Sequence, residues 1–302
     1  MPSSGYDRDL RNTSNAFQTG PNSAVTETKM LQAADYDYIR RLVRERAAIV
    51  LDETKNYLIE TRLQRLASTE RFASVAELVA LARRDSAICR RVIEAMTTNE
   101  TSWMRDVHPF EGLRHHIVPE MLRSRAGTRS LNVWSMACSS GQEPYSIAMV
   151  LREYFPQLLP WTLRILATDI STEMIAKAKE GAYSQLEINR GLPASLMTRY
   201  FKRDGLQWRV NDDLRTVVEF RPMNLNEMWP TLPRMDIVFL RNVLIYFDIE
   251  TRRSIFLRLR KVLAPDGYLI LGGAETALNL DDQFERVTVG RSVAYRLRSG
   301  SL

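Results

Sequence analysis

The rhythm of apolar positions changes near residue 130. Upstream, Tyr38, Leu42, Ile49, Leu58, Leu63 and Leu66 recur at roughly helical spacing, and Val75, Leu78, Val79, Leu81, Ile88, Val92 and Ile93 repeat it. Neither proline nor glycine interrupts residues 31–105. This predicts three or four short helices, an all-α domain over 35–105. A connecting helix is expected over 106–126, ending before Gly127-Thr128. Residues 1–34, which open rich in Ser, Asn, Thr and Gly, read as a flexible tail.

Downstream, short apolar runs alternate with helical ones. A strand is expected over 131–137, a helix over 143–155, and a strand over 163–168 that ends at Asp169. Ser171 should cap a helix over 172–180 that Gly181 stops. Later come a strand over 235–240, a helix over 249–263 capped by Asp248, and a Pro265-Asp266-Gly267 turn into a strand over 268–272. A hairpin, 284–288 with 292–297 around Gly290, closes the chain. Such alternation predicts an α/β fold over 127–302 with a mostly parallel sheet, whose ligands sit beyond the strand C-termini. Residues 182–222 break the alternation. They read as an inserted piece: a helix over 193–201 and a hairpin of 206–210 with 216–221, suited to a partner, a substrate or a lid.

Composition narrows the class. The 302 residues are 45% hydrophobic and 26% charged, enough core for one large domain or two ordinary ones. No apolar run approaches the roughly 20 residues of a membrane span, and the first ten residues lack the order of a signal peptide. Two cysteines, Cys89 and Cys138, form no framework, so a cytoplasmic location is expected. Three histidines, His108, His115 and His116, read as surface residues, and no metal site is expected. The net charge of +6 permits an acidic partner. Arg40, Arg41, Arg44 and Arg46 crowd one helix and Arg83, Arg84, Arg90 and Arg91 another, which reads most simply as a solvated face.

Candidate chemistry lies at the strand ends. The first strand runs into small residues, one glycine (Gly141) and Glu143, which could accept from a cation. Asp169 stands where a carboxylate commonly accepts both ribose hydroxyls; the alternative is that it only caps the next helix. Asn224 offers a side-chain amide of the kind that reads an adenine edge. Arg241-Asn242 interrupts an apolar run, and burying either without partners would cost about 2–7 kcal/mol, so a ligand is expected to supply them. No GxSxG, HExxH or P-loop is present. A nucleoside site without phosphate-cradling glycines points to S-adenosylmethionine rather than NAD or ATP.

Four stretches resemble the CheR family, the chemoreceptor glutamate methyltransferases of bacterial chemotaxis. They are 97–105 (TTNETSWMR), 137–146 (ACSSGQEPYS), 167–171 (ATDIS) and 241–248 (RNVLIYFD). The resemblance covers about 35–298. It implies a class I, Rossmann-like methyltransferase sheet with an inserted β-subdomain at about 182–222, preceded by an all-α domain. It also implies S-adenosylmethionine as methyl donor and receptor glutamates as substrate. By motif, Asn99, Thr101 and Arg105 would reach the cofactor from the end of the helical domain. Glu143 would hold its methionine end and Asp169 its ribose. Asn224, Leu225, Arg241 and Asn242 would flank the adenosine and methyl side, with Arg105 and Tyr246 nearest the transferring methyl. Trp103-Met104 stands where two phenylalanines are more usual, and Ser139-Ser140 replaces a Ser-Thr type pair.

The expected partner is the acidic methylation region of a receptor, which makes Arg40, Arg41, Arg44 and Arg46 a docking face. The connection 204–208 is shorter than in members that tether a receptor's C-terminal peptide by an added strand. That implies binding to the methylation region alone. Two rivals remain at this point. An RNA methyltransferase would want aromatics interleaved with basic residues, and the helical domain has few. A non-catalytic cofactor-binding adaptor would not need Arg105, Asp169 and Tyr246 together.

Overall fold

The computed structural model describes residues 31–298. Most of the tail expected over 1–34 lies outside the described residues; the first helix already begins at Ala33. Four helices follow: α1 (Ala33–Ala47), α2 (Asn56–Thr69), α3 (Val75–Ala82) and α4 (Ser86–Ala95). Their boundaries have local causes. Ser74 Oγ accepts from Glu77 N, and the Asp85 carboxylate accepts from Ala87 N and Ile88 N, satisfying donors that a helix start leaves free. The expected connecting helix is three segments in one run: α5 (His108–Gly112), a π-turn (Leu113–Ile117) and α6 (Val118–Ser124).

The second half contributes β1 (Ser130–Met136), α7 (Gln142–Tyr154), β2 (Thr162–Asp169), α8 (Thr172–Glu180) and β3 (Ala182–Ser184). Then come α9 (Gln185–Ile188), α10 (Ala194–Tyr200), β4 (Phe201–Asp204), β5 (Gln207–Val210), α11 (Asp212–Arg215) and β6 (Val218–Pro222). Last are β7 (Met235–Leu240), α12 (Ile249–Val262), β8 (Leu263–Leu271), β9 (Phe284–Val289) and β10 (Ser292–Leu297). Seven strands form one sheet in the order β6-β2-β1-β7-β8-β10-β9. The strands from β6 to β8 are parallel; β10 runs antiparallel to β8 and β9. From β1 the chain steps outward to β2, then returns on the other side to β7. The crevice between the C-terminal ends of β1 and β7 is therefore the switch point where such sheets bind ligands.

Two expectations need correction. Residues 216–221 do not pair with 206–210. The partner of β5 is β4, across a tight turn at Gly205-Leu206, and β3 completes a three-stranded antiparallel sheet. Residues 218–222 instead pair in parallel with β2 as the edge of the main sheet, so the inserted piece ends before them. The Pro265-Asp266-Gly267 turn is not a break before a strand. Residues 263–271 are one strand, with an irregularity where Met235 pairs with Leu263 and Ile237 already pairs with Tyr268.

Period-two alternation splits the core in two. On one face, Trp134, Met136, Val238, Leu240 and Leu269 pack with α12 and run without interruption into the helical domain through Ile39, Val43, Leu63 and Leu78. On the other, Val133, Ile237, Phe239 and Ile270 pack with α5–α7 and the inserted subdomain. Trp103, 1% exposed, sets its indole edge-on to Tyr183 at 4.9 Å and Phe201 at 5.2 Å, which ties the chain between the two domains to the insertion. Among the described residues no helix is long and apolar enough to cross a membrane.

Candidate active site

All ten residues expected at the site line one cleft, of about 880 Å³ with its mouth, at the switch point. It is built from the ends of β1, β2, β6 and β7, the 97–105 segment, and a roof from the helical domain. The chain after β1 turns sharply. Ala137, Ser139 and Gly141 all have positive φ (53°, 50° and 96°), which only small residues adopt cheaply. A Cβ on Gly141 would stand 2.9 Å from the Ala178 methyl, so this glycine also lets α7 approach α8.

Asp169 ends β2, 6% exposed. Its Oδ2 accepts from Ser139 N at 2.8 Å and its Oδ1 from Ser171 N at 2.9 Å. The cap of α8 is Ser171, whose Oγ accepts from Met174 N, so the capping alternative for Asp169 does not hold. Burial pushes the Asp169 carboxyl above its usual range, partly offset by those two N–H donors. One lone pair on each oxygen remains for a ligand. The neighbouring Cys138 thiol is pushed well up by burial and by the Asp169 and Glu143 charges, so it stays protonated and inert.

Arg241 departs from expectation. Its side chain is 1% exposed, and protein groups supply most of its partners. Nη1 donates to Glu143 Oε2 at 2.9 Å, and Nη2 donates to the Arg105 carbonyl at 2.9 Å and Asp106 Oδ2 at 2.7 Å. Its Nε is buried without a partner. Ser135 Oγ, on β1, donates to Glu143 Oε1 at 2.7 Å. Arg241 is therefore a clamp. It fixes Glu143 from one side and, from the other, a strained loop in which Met104, Asp106 and Val107 have φ of 47°, 67° and 44°. Arg105, inside that loop, also donates to the Glu100 carbonyl at 3.1 Å.

Asn224 differs too. Its amide donates to the Arg46 carbonyl at 2.6 Å and to Glu227 Oε1 at 3.0 Å, and its Oδ1 accepts from Asn226 N. The side chain expected to read an adenine edge instead fastens the β6 loop to the end of α1. The roof is completed by an antiparallel bridge between Ile49 and Phe247 and by Val50 N donating to the Tyr246 carbonyl at 3.0 Å. Ala47, Ile49 and Phe247 thus line the cleft, which the sequence pattern alone did not suggest. Asn99 closes the floor, its carbonyl accepting from Ser139 Oγ at 2.8 Å.

Comparison with known proteins agrees with this geometry. Residues 34–97 match the model of the CheR methyltransferase all-alpha domain, and residues 99–293 that of the CheR methyltransferase SAM binding domain. The chain belongs to the CheR methyltransferase family. A chemotaxis protein methyltransferase 1 of Pseudomonas aeruginosa is 40% identical over 270 residues, 88% of this chain and 98% of that protein. A chemotaxis protein methyltransferase of Pseudomonas putida is also 40% identical, over 87% and 98%. One of Vibrio parahaemolyticus is 37% identical, over 87% and 97%. This CheR-family chain is thus an S-adenosylmethionine-dependent methyltransferase. The donor set fits that cofactor: a buried carboxylate at a strand end for hydroxyls, a second acid for a cation, apolar Leu225 and Ile170 beside them, and no glycine-rich phosphate cradle.

One further carboxylate, after β8, stands behind the cleft wall and does not line it. The carboxylate of Glu275 accepts four backbone N–H groups: Asn242 at 2.8 Å and Gly272 at 2.8 Å on Oε2, Val243 at 2.9 Å and Leu244 at 2.7 Å on Oε1. The signal that could have found it is positional. An acid three residues beyond Gly272 follows the C-terminal end of β8, as Asp169 ends β2 and Glu143 follows β1.

Proposed function

We propose that this chain is a protein-glutamate O-methyltransferase that acts in the cytoplasm on methyl-accepting chemoreceptors. It would convert receptor glutamates to 5-O-methyl esters and release S-adenosylhomocysteine. The observation that carries the reading is what faces the cleft. Arg105 and Tyr246 line it, and its carboxylates are engaged: Glu143 by Arg241 and Ser135, Asp169 by two backbone N–H groups, Glu100 by Arg190. Among the described residues that line the cleft, no carboxylate or histidine stands free to act as a general base. A glutamate carboxylate, with a pKa near 4.3, needs none at pH 7.

When bound, the cofactor supplies a methyl group already activated on a sulfonium. Asp169 would accept the ribose hydroxyls and Glu143 would face the ammonium, with Asn99 and Thr101 at the methionine end. Leu225, which lines the cleft, would pack on the adenine. Arg105 and Tyr246 orient the incoming carboxylate, and the walls strip water from it. Alignment of this kind is worth up to roughly 7–11 kcal/mol.

Docking of the acidic methylation region falls to the exposed members of the α1 arginine group, Arg41, Arg44 and Arg46. Arg40 is spent on Asp37 at 2.6 Å and Asn56 at 2.7 Å, and Arg44 faces Asp248 at 3.5 Å. No tether to a receptor C-terminal peptide and no nucleic acid partner is proposed.

The test is transfer of labelled methyl groups to membranes that each hold one receptor. Label released as methanol by mild base, and lost when the receptor glutamates are changed to alanine, is the expected result. Base-stable label, or label on RNA, would reject the reading. Tyr246→Phe should lower kcat by roughly 10- to 100-fold with cofactor Kd near wild type. A weaker Kd at unchanged kcat would remove Tyr246 from the methyl end.

A further inference from the structure

Behind the wall of the cleft stands a carboxylate that no chemistry above uses. Glu275 gathers the N–H groups of Asn242, Val243, Leu244 and Gly272 onto its two oxygens, all between 2.7 and 2.9 Å. Four donors on one side chain are more than a cap requires, and three of them belong to one segment at the end of β7. That segment starts with Asn242 at φ 58°, and after Val243 the chain makes the 3₁₀ turn Leu244–Tyr246. The turn closes through Tyr246 N to the Val243 carbonyl at 3.1 Å and Phe247 N to the Leu244 carbonyl at 3.1 Å. Glu275 thus satisfies the donors at the start of the turn whose far end carries Tyr246. On that far end, the Tyr246 carbonyl is held by Val50 N.

The surroundings are built to keep the carboxylate in place. A Cβ on Gly272 would stand 2.7 Å from Glu275 Oε2 and 2.9 Å from both Asn242 N and Asn242 Nδ2. Only glycine leaves the carboxylate room. The positive φ of Asn242 turns successive N–H groups toward one point, the arrangement that makes an anion-binding concavity of backbone. Here the anion is the protein's own.

We propose that Glu275 is a positioning residue for methyl transfer. It acts through Tyr246 by fixing the 242–246 segment, and it contacts neither cofactor nor substrate itself. The inference rests on the role given to Tyr246 above. If it is right, the effect of losing Glu275 disappears once the Tyr246 hydroxyl is gone, because there is no longer anything to aim.

A double-mutant cycle reads this directly. Glu275→Gln should lower kcat roughly 100-fold, the cost of an ångström-scale misplacement, with cofactor Kd close to wild type. In a Tyr246→Phe background the same change should cost less than about twofold further. Equal fold-losses in both backgrounds would overturn the proposal, as would a Kd weakened as much as kcat. Should Glu275→Gln fail to fold, Glu275→Asp keeps the charge but falls a methylene short, and carries the same cycle. A second readout needs no substrate. With 3-fluorotyrosine incorporated, the resonance of Tyr246, assigned by its loss in Tyr246→Phe, should be a single line in the wild type and broadened or split in Glu275→Gln. An unchanged line would sink the positioning role even if the receptor were not the substrate. Absent wild-type methylation of receptors would instead count against the proposed function alone.

Discussion

Arg241→Met is expected to weaken cofactor binding by at least about 100-fold and to destabilise the fold by about 3–5 kcal/mol. The guanidinium is 1% exposed and joins Glu143, Asp106 and the Arg105 carbonyl. Without it Glu143, whose side chain is 12% exposed, keeps only the Ser135 hydroxyl as partner, and a buried carboxylate is left uncompensated. The loop of Met104, Asp106 and Val107, all at positive φ, also loses two of its anchors and can relax. Arg105 then leaves the cleft. Urea denaturation and calorimetric titration with S-adenosylhomocysteine check the two halves separately. The double variant Glu143→Gln with Arg241→Met should recover part of the stability, since the orphaned charge is gone, but none of the affinity. An Arg241→Met protein as stable as the wild type would show that the clamp holds nothing.

Asp169→Ala is expected to cost a comparable loss of affinity, at least about 100-fold, with a smaller loss of stability. Hydrogen bonds to a charged group contribute roughly 1.5–3 kcal/mol each, and two ribose hydroxyls would be released. Asp169 also brings a pH signature. Burial raises its folded pKa above the ordinary 3.8. Hydroxyl donors favour its ionised form, so affinity should weaken as pH falls through that raised value, before ordinary carboxylates titrate. For the cofactor-free protein the sign is opposite. A folded pKa above the unfolded one means this group's contribution to stability is present at low pH and lost as pH rises through the folded value. Titrations between pH 7 and pH 4 should show the affinity loss in the wild type and a flatter profile in Asp169→Asn. A flat wild-type profile would mean the cofactor does not meet this carboxylate.

What could be read along the chain was whatever is closed locally. Ser171 and Gly181 bound α8 as expected, because a side-chain cap and a left-handed glycine act within one turn of backbone. Asp169 and Arg241 stood out as candidates for a related reason: each sits at the end of a strand, and strand ends are local. Partnership was not legible. The strand character of 218–222 is plain, but its neighbour is β2 rather than the nearer β5, a choice made by the packing of Val218 and Phe220 on the sheet face. Arg241 looked like a residue awaiting a ligand because its main partner, Glu143, lies 98 positions away. Asn224 looked free for the same reason, its acceptor being the Arg46 carbonyl 178 positions upstream. Glu275 escaped because its acceptor role is exercised on backbone, which leaves no mark on side-chain pattern.

The face of the sheet that carries Trp134, Val238 and Leu269 shares one unbroken core with Ile39, Leu63 and Leu78 of the helical domain. The two family models meet between residues 97 and 99, yet nothing in the packing is divided there. A fragment beginning at residue 99 would bare that face to water and lose Ala47 and Ile49 from the wall of its own cleft. The boundary is one of descent and not of folding. The helical half is therefore no interchangeable module: replacing it wholesale would mean rebuilding the sheet face and the cleft wall beneath it.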